Sequence, residues 1–171
     1  MGRGYPFGAR NIWRILGGSG SYTLIIKLNN LMRNEVILSF VIADFDDISP
    51  DKITENIGIT PVRIYIKGER KNPNLSGIAK RNRWIMGSGL DKYASFEDQM
   101  NAMLDIIESK IELLRPFCEK YYCEFSCAIF IRYDNDESTP SVHLDARYNR
   151  LTKELNIEFD VDLYCLPNKD E

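Results

Sequence analysis

Residues 36–43, Val-Ile-Leu-Ser-Phe-Val-Ile-Ala, narrow the choice of fold more than any other stretch, because they are apolar on both alternating faces. A bilayer-spanning helix needs about 20 such residues, so this run is far too short to be one. An apolar run of this length without helical spacing reads as an interior strand, flanked and covered by the rest of the chain. The last periodic run is its counterpart. Ile157, Phe159, Val161, Leu163 and Cys165 alternate with Glu158, Asp160, Asp162 and Tyr164, which makes a strand with one apolar and one polar face. A sheet that holds both strands needs one covered and one partly open face. The expected architecture is therefore α+β: a two-layer sandwich with a mixed, largely antiparallel sheet and one long and two short helices on one face.

Local signals place the helices. Ser49 can cap, Pro50 takes the first helical position, Asp51 complements the positive end, Ile48 and Ile53 stand at staple positions, and Gly58 ends the turn. Ser95 caps a long helix expected over residues 96–115, where Met100, Met103, Leu104, Ile107, Ile111 and Leu114 share one stripe and Pro116 ends or kinks it. Asp145 caps a short helix that Asn156 closes. Strands are expected at Val62, Ile64 and Ile66 (half-buried), around Trp84, over residues 124–133, and from Ser141 to Leu144.

Charge is unevenly distributed along the chain. Residues 1–34 carry Arg3, Arg10, Arg14, Lys27 and Arg33 and no acid. The remaining 137 residues hold 17 of the 22 basic side chains and all 25 acidic ones, a net of −8. Such a body repels bulk nucleic acid and attracts a basic partner. Six of the 11 glycines fall in the first 20 residues. Residues 1–31 accordingly read as a flexible basic extension, a tag remnant or an over-called start with Met32 as initiator, with residues 22–28 as a candidate edge strand. Residues 32–171 read as the single domain. Cys118, Cys123, Cys127 and Cys165 have spacings that match no common zinc site and no signal peptide precedes them, so buried free thiols in a cytoplasmic protein are expected, with no metal or other cofactor.

Several segments occur in a recognisable order: Ser49-Pro50-Asp51-Lys52-Ile53-Thr54-Glu55, then Ile57-Gly58-Ile59 and Pro61, Lys67-Gly68-Glu69, Arg83-Trp84, the helix after Ser95, and the closing Phe159-Asp160-Val161-Asp162-Leu163-Tyr164. Together they resemble a bacterial domain-of-unknown-function family, DUF4279, over about residues 36–166. The resemblance implies a small cytosolic α+β protein without an assigned activity, of a kind associated with toxin-neutralising or accessory binding roles. It supplies no catalytic residues.

Three surfaces carry candidate chemistry. Glu158, Asp160, Asp162 and Tyr164 put an acidic ladder on one strand face, suited to a basic, toxin-like protein partner, or else merely solvated and paired with Arg63 and Lys67. Carboxylates about 7 Å apart on a straight strand do not converge on a metal. The loop region with Arg63, Lys67, Arg70, Lys71, Lys80, Arg81 and Arg83, beside Trp84 or Tyr65 as a stacking surface, is the alternative: a nucleotide or nucleic-acid site, without a phosphate-loop motif. His143 beside Asp145, with Ser88 or Cys123 as nucleophile, is the third, a small hydrolase without a nucleophile-elbow motif. The leading expectation is a non-enzymatic immunity or accessory protein that engages its partner through the acidic face, not through a membrane.

Overall fold

A computed structural model describes residues 32–71 and 76–167. The elements are β1 (Glu35–Ala43), α1 (Pro50–Ile57), β2 (Arg63–Tyr65), β3 (Arg83–Gly87), α2 (Phe96–Glu108), α3 (Ile111–Lys120), β4 (Tyr122–Arg132), α4 (Ala146–Leu155) and β5 (Glu158–Leu166). The strands form one mixed sheet in the order β2-β3-β1-β4-β5, antiparallel throughout except that β4 and β5 run parallel. The α+β expectation holds, and β1 is the middle strand. The expectations for residues 1–31, the edge strand at 22–28 included, lie outside the described residues.

The doubly apolar run explains the position of β1. Val36, Leu38, Phe40 and Ile42 point into the helical layer beside Ile129, Cys127, Phe125 and Cys123 of β4, while Val41 and Ala43 on the opposite face are also buried between β3 and β4. The core continues through Trp84 and Met86 of β3 to Ile53 and Ile57 of α1, Met100, Met103, Leu104 and Ile107 of α2, Leu114 and Phe117 of α3, and Tyr148, Leu151 and Leu155 of α4. The caps fall where the residue types place them. The Ser49 side chain accepts from Lys52 N–H, Ser95 from Asp98 N–H and Asp145 from Tyr148 N–H, and Gly58 (φ 71°) and Asn156 (φ 53°) close their helices in the left-handed region.

Three local expectations are corrected. The helix expected over 96–115 is two: α2 ends at Ser109, whose hydroxyl donates back to the Ile106 carbonyl, and the chain turns at Lys110 (φ −125°). Pro116 lies inside α3 and does not end it, so the described residues form four helices where three were expected. Ser141 to Leu144 forms no strand; Val142 and His143 are exposed and no neighbouring strand pairs with the segment. The strand around Ile64 is only three residues long, with Val62 67% and Ile64 37% exposed.

One polar residue within the apolar stripe has a structural task. β3 pairs with β1 only as far as Ser39, which leaves residues 36–38 unpaired on that side. Gln99, 2% exposed, replaces the missing strand: Leu38 N–H donates to its Oε1 (3.1 Å) and its Nε2 donates to the Val36 carbonyl (2.7 Å). Val36 N–H donates to the Lys92 carbonyl (2.8 Å). Open strand backbone inside the fold is thus satisfied by a dedicated side chain.

Candidate functional site

The open sheet face is built by the outward half of each strand. The β4–β5 register sets Glu158 beside Glu124, Asp160 beside Ser126, Asp162 beside Ala128 and Tyr164 beside Phe130. All four expected acidic-face residues therefore share one face of one edge strand, with carboxylates about 7 Å apart. Glu158, Asp160, Asp162 and Tyr164 are all exposed. Small neighbours, Ser126 and Ala128, leave the aspartates standing clear of β4, while Tyr164 stacks on Phe130 with centroids 4.8 Å apart and planes at 13°.

The acidic ladder is not paired with Arg63 or Lys67. The strand order puts β2 and β5 on opposite edges, four inter-strand steps or roughly 19 Å apart. Arg63 donates to the Tyr65 hydroxyl instead (3.0 Å). Among the described residues the Asp160 and Asp162 carboxylates make no hydrogen bond or ion pair. The cation on the neighbouring strand, Arg132, donates to the Pro167 carbonyl (3.2 Å).

Glu158 is the transition between this free row and a buried polar network. The Tyr122 hydroxyl lies 3.0 Å from Glu124 Oε2 and 3.1 Å from Glu158 Oε2, and its single proton serves one of them at a time. Burial, followed by the two carboxylates, raises the Tyr122 pKa and keeps the hydroxyl a donor. Glu124, with its side chain 7% exposed, accepts from Arg83 across the sheet. Arg83 Nε is buried without a partner.

That network changes the character of the basic region. Arg83 is committed to Glu124; Arg81 donates to Asp44 (3.2 Å) and lies over the Tyr122 ring. Trp84 is fully buried and its indole N–H donates to the Thr54 hydroxyl (3.0 Å), so its ring is not offered to a base. Lys67 and Lys71 are exposed, Lys71 lying over the Tyr65 ring, and Arg70 forms a bridge with Ile78. The described members of the basic set thus have divided roles. Residues 72–75 of that loop lie outside the described residues.

His143 lines a small hollow with Glu97, Met100, Asn101, Leu104 and Asp145. Neither expected nucleophile reaches it. Ser88 is buried against Gln99, Cys123 is buried under the sheet, and Asp145 caps α4. Burial pushes the Cys127 thiol up to about 11, and Cys123 is raised by its contact with Cys118 and by burial. All four cysteines are free; three are buried and Cys165 on β5 is exposed. Among the described residues no three His, Cys, Asp or Glu side chains gather as a metal site, and no helix is long and apolar enough to cross a membrane.

Alternation along β5 correctly pairs the faces, but it misses how little covers the apolar one. Phe159 packs edge-on against Phe96 and Tyr148, yet Val161 is 40% and Leu163 62% exposed, because the helical layer does not cover this part of the strand. No curated protein and no solved structure matches the chain. The model of one family, described as Domain of unknown function (DUF4279), matches residues 34–166, which take in every strand and helix just described, and the chain belongs to that family.

Proposed function

We propose that the protein is a non-enzymatic binding protein of the immunity or accessory type, which engages a basic protein partner in the cytoplasm through the acidic face of β5. The observation that supports this most directly is the pair Asp160 and Asp162. They are exposed, adjacent on one face, and without any cationic partner among the described residues, whereas Asp44, Asp47, Asp105, Glu108 and Glu154 each meet a lysine or arginine of another segment. Unpaired like charges about 7 Å apart raise the local negative potential, and a partner's lysine or arginine relieves it. Tyr164, stacked on Phe130, adds an aromatic face against which such a cation can rest.

The test is an equilibrium titration with a lysine-rich peptide at low salt, using the native chain and the double variant Asp160→Lys/Asp162→Lys, with folding checked by circular dichroism. Loss of binding in a folded variant supports the acidic face. Equal binding overturns it. A random-sequence oligonucleotide serves as the second ligand: sub-micromolar, salt-sensitive binding would move the function to the basic loop.

A further inference from the structure

We propose that β5 receives its partner by strand addition: an extended segment, basic on one face and apolar on the other, joins the sheet along the outer edge of β5. This mode deepens the basic-partner function proposed above and rests on it. Among the described residues β5 is the last strand of the sheet, so alternate backbone N–H and C=O groups along its nine residues point away from β4 without a strand to meet them. Elsewhere the fold closes such an edge, as Gln99 does for β1. The other sheet edge is shortened to the three residues of β2, which begins with Arg63 and is followed by Lys67 and Lys71, the usual defences against pairing. β5 has neither a proline nor a lysine, and it exposes Val161 and Leu163 on the helical side.

The chemistry of the occupant follows from the two faces. An added strand places its alternate side chains beside Asp160 and Asp162 on one side and beside Val161 and Leu163 on the other. Lysine or arginine suits the first row, and valine, isoleucine or leucine the second. A second copy of β5 is the poorer occupant, because it would bring aspartates against aspartates.

The experiment uses the full chain and a short probe peptide alternating lysine with valine, compared with the same peptide N-methylated at every interior amide. Methylation keeps charge and side chains but removes the backbone donors. Strand addition predicts that methylation weakens binding by about tenfold or more, and that the unmodified peptide slows amide exchange within residues 158–166. Equal affinity of the two peptides, each weakened by Asp160→Lys/Asp162→Lys, would overturn strand addition while leaving the acidic face standing. Failure of both peptides to bind would remove the two together. Slow exchange of the outward amides before any peptide is added, whether from self-association or from the chain itself, would assign the edge to another occupant and overturn the proposal.

Discussion

The two edges of the sheet solve opposite problems. At the β2 edge a short, exposed strand is pinned from behind: Trp84 on the adjacent strand is fully buried and bonded to Thr54, and Arg83 reaches across to a buried Glu124. At the β5 edge a strand of nine residues is paired, among the described residues, on one side only, and from Asp160 to Cys165 both of its faces are exposed. The basic edge spends Arg81, Arg83 and Trp84 on holding the sheet together; the acidic edge leaves Asp160 and Asp162 without a cationic partner among the described residues. Charge composition already ranks the acidic face above the basic loop. Partnering widens that difference, because a charge already neutralised inside the fold has little left for a ligand.

The largest expected effect comes from removing the pin behind the basic edge. Trp84→Ala empties a fully buried site and removes the indole donor to the Thr54 hydroxyl, costing about 3–5 kcal/mol. The check is denaturant unfolding. A loss below about 1 kcal/mol would break the contrast by showing this edge to be as loosely held as β5. Next comes Arg83→Ala, which leaves Glu124 buried without its cation and should cost about 2–4 kcal/mol. The paired replacement Arg83→Met/Glu124→Leu should cost less than the single change, and the reverse order would show the ion pair to be a net stabiliser.

Arg147→Ala sharpens the difference between committed and free carboxylates. Its guanidinium holds Glu108 below the usual carboxylate range and also meets Asp105. A carboxylate with a lowered folded pKa lends its stability above the ordinary value of about 4.3 and loses it as the pH falls through the folded value. The variant should therefore melt lower than the native chain at pH 7, with the gap closing as the pH falls below about 4. A gap that persists at pH 2 would show that Arg147 stabilises by packing instead. The smallest effect belongs to β5: Val161→Thr/Leu163→Thr should change stability by under about 1 kcal/mol, since both side chains are exposed. A loss above about 2 kcal/mol in thermal unfolding would show a covered strand and remove the free edge.

What the sequence made legible was local. Ser49, Ser95, Asp145, Gly58 and Asn156 are set by chemistry within a few residues, and all act as expected. The alternation of β4 and β5 sorts their faces correctly. What it hid depends on distant neighbours. The apolar stripe runs on from α2 into α3 and masks the turn at Lys110. Gln99 looks like a polar residue beside a stripe until β1 is seen to need its amide. Ser141 to Leu144 alternates like a strand but has no strand to pair with. Period-two alternation says which residues share a face, not whether a second layer reaches them, so the exposure of Val161 and Leu163 had no local signal. Strand order is likewise non-local, which is why Arg63 and Asp160 look like candidates for pairing until β2 and β5 are seen at opposite edges.

The most direct measurement reverses the charge at each edge in turn. Affinity for the lysine–valine peptide is determined for the native chain, for Asp160→Lys/Asp162→Lys at the acidic edge and for Lys67→Glu/Lys71→Glu at the basic edge, at about 0.02 M and about 0.2 M salt. Reversal at β5 is expected to abolish binding, reversal at the β2 edge to leave it within about twofold of the native value or slightly tighter, and salt to weaken what remains. Equal affinities for all three proteins, or a loss confined to the basic-edge variant, would contradict recognition at the acidic edge.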